Sequence, residues 1–546
     1  MRYSRLIAAR WGVLLLGFCA AIGCAPDRAS AQSAGPAAAP TPTFDIEAYD
    51  VDGAKMLSQL DIETAVYPYL GPGRTAADID KARAALQKVY ADRGLQSVAV
   101  ELPMQSVADH IVRLHVVEAR IGRVRVVGAR YFSPDLVRQQ VPSLREGEVP
   151  DLNQTQKELA QVNTLADRRV TPDLKSGAAP GTVDVDLDVA DSLPLHGSLE
   201  LNNDHSQGTR PLRLTANASY ANLWQLGHSL SFTYTVAPQA RDQSEVYYGA
   251  YSAPLWGSSW TLQLSGYVSN SNATVIGAAN VLGKGSDMGV KAFDRLPAFG
   301  SFIQSASLGI DYRISEQNTA PDQPCAPSLE TAAGPERGTC PQVHYFPFSA
   351  SYTLQRVGNR FNTTASLSVT ANAFGDNTSR LQEARFNTAV DFAHLNLDIA
   401  QTEMLGYGVA AYQHLSGQIT DEPLVSAEEF AAGGLTSVRG YLQSEATGDN
   451  GFSGTFELRS PSFANYFGRY LDELRVYGFA DGAVVHVLLP ATEQTANFHL
   501  ASLGLGLHVE LLKHLSGDVL GAVPLTKGVV THRDKPRLTF SLKSDF

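Results

Sequence analysis

The stretch Leu212-Arg213-Leu214-Thr215-Ala216-Asn217-Ala218-Ser219-Tyr220 alternates apolar and polar residues. Successive side chains of a strand point to opposite faces, so the stretch has one apolar face and one polar face. The pattern returns along the second half of the chain. Leu230, Phe232, Tyr234 and Val236 alternate with Ser231, Thr233 and Thr235, and Ala306, Leu308, Ile310, Tyr312 and Ile314 with Ser307, Gly309, Asp311 and Arg313. Ala365 to Ala371 and Leu503 to Leu511 repeat it. Two architectures accept this period. A sandwich buries the apolar face in a core. A membrane barrel gives that face to lipid and the polar face to a water-filled lumen. Strands of about 9 to 14 residues, long enough to cross a bilayer when tilted, favour the barrel. So does the alternation of tight turns (Gln225-Leu226-Gly227, Trp256-Gly257-Ser258, Gly358-Asn359-Arg360) with long polar loops around 274–286, 316–341, 420–450 and 524–535. The expected fold is mainly β, with an antiparallel transmembrane barrel of about sixteen strands over 194–546.

Composition narrows the function classes. Charged residues are 18% of the chain and the net charge is −12, which argues against a nucleic-acid partner, since phosphate binding needs a basic face. Arg2, Arg5 and Arg10 precede an apolar stretch from Trp11 to about Ile22, and Ala29-Ser30-Ala31 is a small-x-small cleavage site. Residues 1–31 therefore read as an export signal. Processing at Cys24, as in a lipoprotein, is the alternative to cleavage after Ala31. Beyond the signal, only Cys325 and Cys340 remain, in a Pro/Gly-rich stretch. In an oxidising compartment they are expected to form one disulfide that closes a loop. No metal-like spacing, nucleophile motif or nucleotide loop stands out, so no cofactor, metal or catalytic residue is expected.

Residues 32–43 are Ala, Pro, Ser and Gly, a flexible linker. From Phe44 to about Leu193 the pattern is mixed, in two units that each open with a strand ending in glycine: Ile46 to Gly53, and Val124 to Gly128. In the first, Thr75 precedes a helix from about Ala76 to Arg93, with Ile79, Ala82, Leu86, Val89 and Tyr90 on one face. Gly94 ends it, and strands follow near Val98 to Leu102 and Ile111 to Glu118. The second has helices after Ser133 and from about Leu152 to Leu165, then strands near Val170 to Leu174 and Val183 to Val189. The order in both is β-α-α-β-β.

These fragments carry a resemblance. Tyr90-Ala91-Asp92-Arg93-Gly94, Pro103 and Val116-Val117-Glu118-Ala119-Arg120-Ile121-Gly122 resemble the first POTRA domain of two-partner secretion translocators, the haemolysin secretion and activation proteins. Ala119 stands where that family usually has Gly. The Pro180-Gly181 turn resembles the second such domain. The resemblance implies POTRA domains at 44–122 and 123–193, in the periplasm of a Gram-negative bacterium. The final strand, Leu538, Phe540, Leu542, Ser544 and Phe546, resembles the outer-membrane assembly signal of bacterial barrels, with Phe546 as its terminal aromatic.

The loop from about Thr420 to Gly451 carries Asp421, Glu422, Glu428 and Glu429, then Ala431 to Gly434, then Val438-Arg439-Gly440-Tyr441. The last four match the VRGY/F motif of the family's sixth extracellular loop, which folds back into the lumen. There the Arg meets an Asp in an F-x-D-x-G motif on a nearby strand. This chain has Phe479-Ala480-Asp481-Gly482-Ala483, with Gly482 adjacent to the usual glycine position. Glu457 matches a second acidic wall position. A guanidinium and a carboxylate in a partly dehydrated lumen form a bidentate, charge-assisted pair, and Gly440 lets the backbone approach the wall.

The resemblance implies a translocator that captures an unfolded secretory client through its POTRA pair and exports it through the barrel without ATP. Its further partners would be outer-membrane lipids and, during biogenesis, the barrel assembly machinery. Many members carry an N-terminal plug helix. Gln32 to Thr43 leave little room for one, so the sixth loop is expected to carry more of the sealing. A barrel-assembly factor of the same superfamily and a passive porin are the alternatives. Two POTRA-like units are few for the first, and the VRGY loop is an unneeded addition to the second.

Overall fold

The computed structural model describes residues 42–106, 109–255, 257–271, 273–276, 279–282, 284–316, 342–376, 378, 381, 382, 385, 387–490 and 494–546. The expected export signal, nearly all of the expected linker, and Cys325 and Cys340 lie outside the described residues. The chain divides into two compact units, Met1–Glu118 and Ala119–Phe546.

In the first unit a three-stranded sheet has Ala48–Asp52 parallel to Ile111–Glu118, which pairs antiparallel with Val98–Glu101. Helices Gln59–Val66 and Ala76–Asp92 complete it. The second helix starts where the sequence places it, with the Asp78 carboxylate accepting the Thr75 N–H at 3.1 Å. Ile79, Ala82, Leu86 and Tyr90 are buried from that helix, and the Tyr90 hydroxyl donates to Glu118 at 3.0 Å. Thr43, assigned to the linker by composition, instead pairs with Thr75 at the head of a short strand.

The β-α-α-β-β order recurs at the start of the second unit. Arg120–Val127 runs parallel to Thr182–Asp191, which pairs antiparallel with Arg168–Ser176, and helices Pro134–Gln139 and Leu152–Val162 lie between. Gly53 and Gly128 follow the first strands of the two units at equivalent places. Both have positive φ, and a Cβ would sit 2.2 Å from the Val116 carbonyl oxygen in one and 2.5 Å from that of Val189 in the other. Glycine there lets the chain leave the sheet against its parallel neighbour. The boundary differs from the sequence expectation. Arg120 and Ile121 pair with Thr182 and Val183, and Ile121 packs with Val124, Val137, Val185 and Leu187. The division therefore falls after Glu118, because Ile121 fills the second core.

From Leu195 on, sixteen antiparallel strands form a closed barrel. Asn202 to Ser198 of the first strand pair with Ser541 to Asp545 of the last, and Gly197 and Phe546 exchange backbone hydrogen bonds at 2.8 and 2.9 Å. The terminal Phe546 thus sits at the closing seam, with its ring over Gly197. Leu230, Phe232, Leu308, Ile310, Leu367, Val369, Leu503 and Leu505 point outward and are exposed on this chain. An unpartnered apolar belt of this extent needs lipid. No helix among the described residues is long and apolar enough to cross a membrane.

The connections alternate short and long. On one end lie turns such as 224–227, 358–360 and 407–408; the other end carries the long loops. The sixth long connection, 421–449, joins Val409–Thr420 to Asn450–Arg459. It contains a short strand pair, Phe430–Ala432 with Ala446–Gly448, and turns inward.

Candidate functional site

The wall of the site comes from two neighbouring strands. In Leu471–His486 the two-residue period brings Tyr477, Phe479, Asp481, Ala483 and Val485 to the lumen, all buried. On Asn450–Arg459, Ser453 and Glu457 face the same way and are buried. Loop six lowers Arg439 onto this surface. Its Nε and Nη2 donate to Asp481 Oδ2 and Oδ1, both at 2.8 Å, and its backbone N–H donates to Oδ2 at 3.0 Å. Nη1 donates to Glu457 Oε2 at 2.5 Å, and the guanidinium stacks 3.5 Å above the Phe479 ring centre. Burial works against the Arg439 charge, but Asp481 and Glu457 outweigh it and raise its pKa above the ordinary value. The loop cation thus meets two wall carboxylates and an aromatic face.

The neighbours fix its approach. Val438 packs with Phe430, Ala483, Val485 and Leu500. Gly440 has φ of +96°, and a Cβ there would lie 3.0 Å from the Ala522 Cβ. The Tyr441 hydroxyl reaches the Ala501 carbonyl at 2.9 Å and the Thr526 carbonyl at 2.8 Å. Gly482 does not join the site: adjacent to Asp481, it points to the opposite face of the strand by the two-residue period. Ala483 shares the face of Asp481 instead.

A second contact was not singled out by the sequence. Glu428, near the start of loop six, accepts from Arg313 Nη1 at 2.5 Å and the Tyr345 hydroxyl at 2.8 Å, with His394 Nε2 at 3.2 Å. These partners sit on Phe302–Glu316, Gln342–Val357 and Phe392–Gly406, an arc of wall distinct from that of Asp481. Burial pushes the Glu428 carboxyl up, but Arg313 and His394 outweigh it and hold it down at about 2. The available signal was a run of four loop acids and an Arg on the polar face of an alternating strand. Neither states a partner.

Other loops hold loop six from outside. Arg385 makes two 2.6 Å bonds to Asp449 and one of 2.9 Å to Glu429. Glu445 accepts the Val530 and Thr531 N–H groups at 2.9 and 2.7 Å, and Asp204 accepts that of Leu435 at 3.0 Å. Two cavities of about 600 and about 630 Å³ flank the loop inside the barrel. The first is lined by Ser366, Ser368, Thr370, Asn396, Ser416 and Glu428 among others, the second by Arg439, Glu457, Arg475, His508 and Asp518 among others. Among the described residues no group of three or more His, Cys, Asp or Glu could hold a metal ion.

Known proteins share this architecture. The family model for the ShlB-type POTRA domain matches residues 44–119. The model described as haemolysin secretion/activation protein ShlB/FhaC/HecB matches 181–317 and 341–509. The outer membrane transporter CdiB of Dickeya dadantii (strain 3937) is 22% identical over 199 residues, 35% of each chain. That of Escherichia coli is 23% identical over 207 residues, 37% of this chain and 35% of the relative. The matched stretch thus spans about a third of the length of these curated relatives. Among solved structures, CdiB from Escherichia coli superposes with a TM-score of 0.63 at 18% identity, covering 95% of this chain and 93% of that one. BamA from Haemophilus ducreyi lacking POTRA domains 1–3 gives 0.53 at 14%, covering 92% and 100%. At these identities the likeness is one of fold. The barrel is a transmembrane barrel of the outer membrane, with its POTRA domain on the periplasmic side. The chain belongs to the haemolysin secretion/activation protein family ShlB/FhaC/HecB, a family of outer-membrane transporters.

Proposed function

We propose that the protein exports a secreted client across the outer membrane, and that residues 44–118 and 119–193 are two POTRA domains that receive it in the periplasm. The observation that carries this reading is the ligation of Arg439 by Asp481 and Glu457 inside a closed barrel. An inward loop anchored by buried charge is a costly addition to a passive pore and a useful one to a gated conduit. Each β-α-α-β-β unit has a three-stranded sheet with two outer strands, an arrangement that supports capture by strand addition, which reads main chain and suits an unfolded client of the TpsA type. The client then passes outward through the lumen without ATP, drawn by its folding outside. Arg439 holds loop six in the resting position, and the protein performs no bond chemistry. Its other partners are outer-membrane lipids and the barrel assembly machinery during biogenesis.

Deletion tests the reading. The product of a neighbouring gene for a large secreted repeat protein should disappear from the medium and collect in the periplasm, as measured by immunoblot of both fractions. Normal levels in the medium would reject export of that client. A loss of many outer-membrane proteins instead would favour an insertion role.

A further inference from the structure

Loop six meets the wall through contacts of opposite polarity. At Arg439 the loop brings the cation. If it leaves, Glu457 keeps Arg459 at 2.7 Å, but among the described residues no other cation pairs with the fully buried Asp481 side chain. A lone desolvated carboxylate is strongly unfavourable. At Glu428 the loop brings the anion, and its departure costs the wall the bond from the neutral Tyr345 hydroxyl but leaves the wall charges paired. Arg313 keeps Asp287 at 2.8 Å and lies 3.7 Å from Asp311, which in turn lies 3.9 Å from Lys291. Two cations and two carboxylates remain, balanced among themselves. His394 keeps a bond to Asn396 at 2.9 Å. The same end of the loop borders the cavity of about 600 Å³. Across from Glu428 that cavity presents Ser366, Ser368, Thr370, Asn396 and Ser416. Hydroxyl and amide groups offer interchangeable hydrogen bonds to any main chain without retaining one sequence.

We infer that Glu428 is the releasable latch of loop six, and that the polar cavity beside it widens into the path of an extended polypeptide while Arg439 stays bound as the pivot. This inference rests on the export reading above and assigns that reading a route and a positioning residue.

The full chain in planar bilayers, with potassium chloride as the permeating probe, tests the latch. Glu428→Gln is expected to raise open probability roughly tenfold, the scale of one charge-assisted hydrogen bond. Heat-modifiable mobility on gels verifies that the barrel is folded. Should this variant fail to fold, Tyr345→Phe and His394→Gln each remove one bond to Glu428 and are expected to shift the current in the same direction. Parental open probability in folded variants would overturn the latch. A photo-crosslinking residue at Ser368, on the cavity, is expected to capture the client whose export the deletion abolishes, and one at the outward Val369 is not. Capture from neither position while the client reaches the medium would overturn the route and leave export standing. Client in the medium of the deletion strain would instead reject the export reading.

Discussion

Arg439 and Glu428 belong to one loop, are both buried, and are both ligated by charged wall residues. They differ in the remainder each leaves when it departs. Arg439 is the cation that pairs with the buried Asp481 of the wall. Glu428 is an extra anion on a wall whose own charges pair off. A buried ion pair is weak evidence for net stability, because desolvation offsets its attraction, but breaking one side of it is expensive when the other has no alternative partner. The contrast therefore makes one end of the loop a pivot and the other a catch.

The largest effect that tests this contrast is Arg439→Ala. It leaves Asp481 buried without its cation and is expected to weaken loop docking by about 3–5 kcal/mol. Protease sensitivity of loop six should rise and secretion fall, with the barrel still folded by heat-modifiable mobility. Equal secretion by this variant and the parent would remove the pivot. The exchange of Arg439→Asp with Asp481→Arg sharpens the test. Because Glu457 also faces position 439, the exchange alone should restore little, and adding Glu457→Gln should restore more. Glu428→Gln comes next, at about 1.5 kcal/mol of lost charge-assisted bonding. It should loosen the loop less than Arg439→Ala does, and equal protease sensitivity would break the contrast. Gly440→Ala follows, at about 1–2 kcal/mol, for a side chain held at positive φ against Ala522. Gly482→Ala is the smallest. It points outward, with the nearest atom 3.7 Å from a new Cβ, and secretion should remain parental. A strong defect there would return Gly482 to the site.

Legibility in the sequence followed physical range. The barrel was readable because strands such as Arg213–Leu223, His228–Val236 and Phe302–Glu316 obey one local rule, lipid on one side and water on the other, so Leu212 to Tyr220 already speaks for them, whereas Leu471–His486 departs from it by turning Tyr477, Phe479, Ala483 and Val485 to the lumen. The helix Ala76–Asp92 was readable from its cap and apolar face, whereas the first unit's other helix, Gln59–Val66, had no residue range placed by the pattern. The strand Arg120–Val127 was begun too late, because only its pairing with Thr182 and Val183 assigns Arg120 and Ile121 to the second unit. Within the site, Arg439, Asp481 and Glu457 were found through a motif. Gly482 was taken along with it by adjacency in sequence, although a strand turns adjacent residues to opposite faces.

By itself the sequence determined the two-faced strands, the paired β-α-α-β-β units and the charged residue at the tip of a long loop, because each is written in neighbouring residues. Tertiary structure decided which charges meet. Glu428 lies far along the chain from Arg313 and Tyr345, and only closure of the barrel and the inward course of loop six bring them to 2.5 and 2.8 Å. Attraction between charges depends on distance and on exclusion of water, and neither exists until the wall is complete.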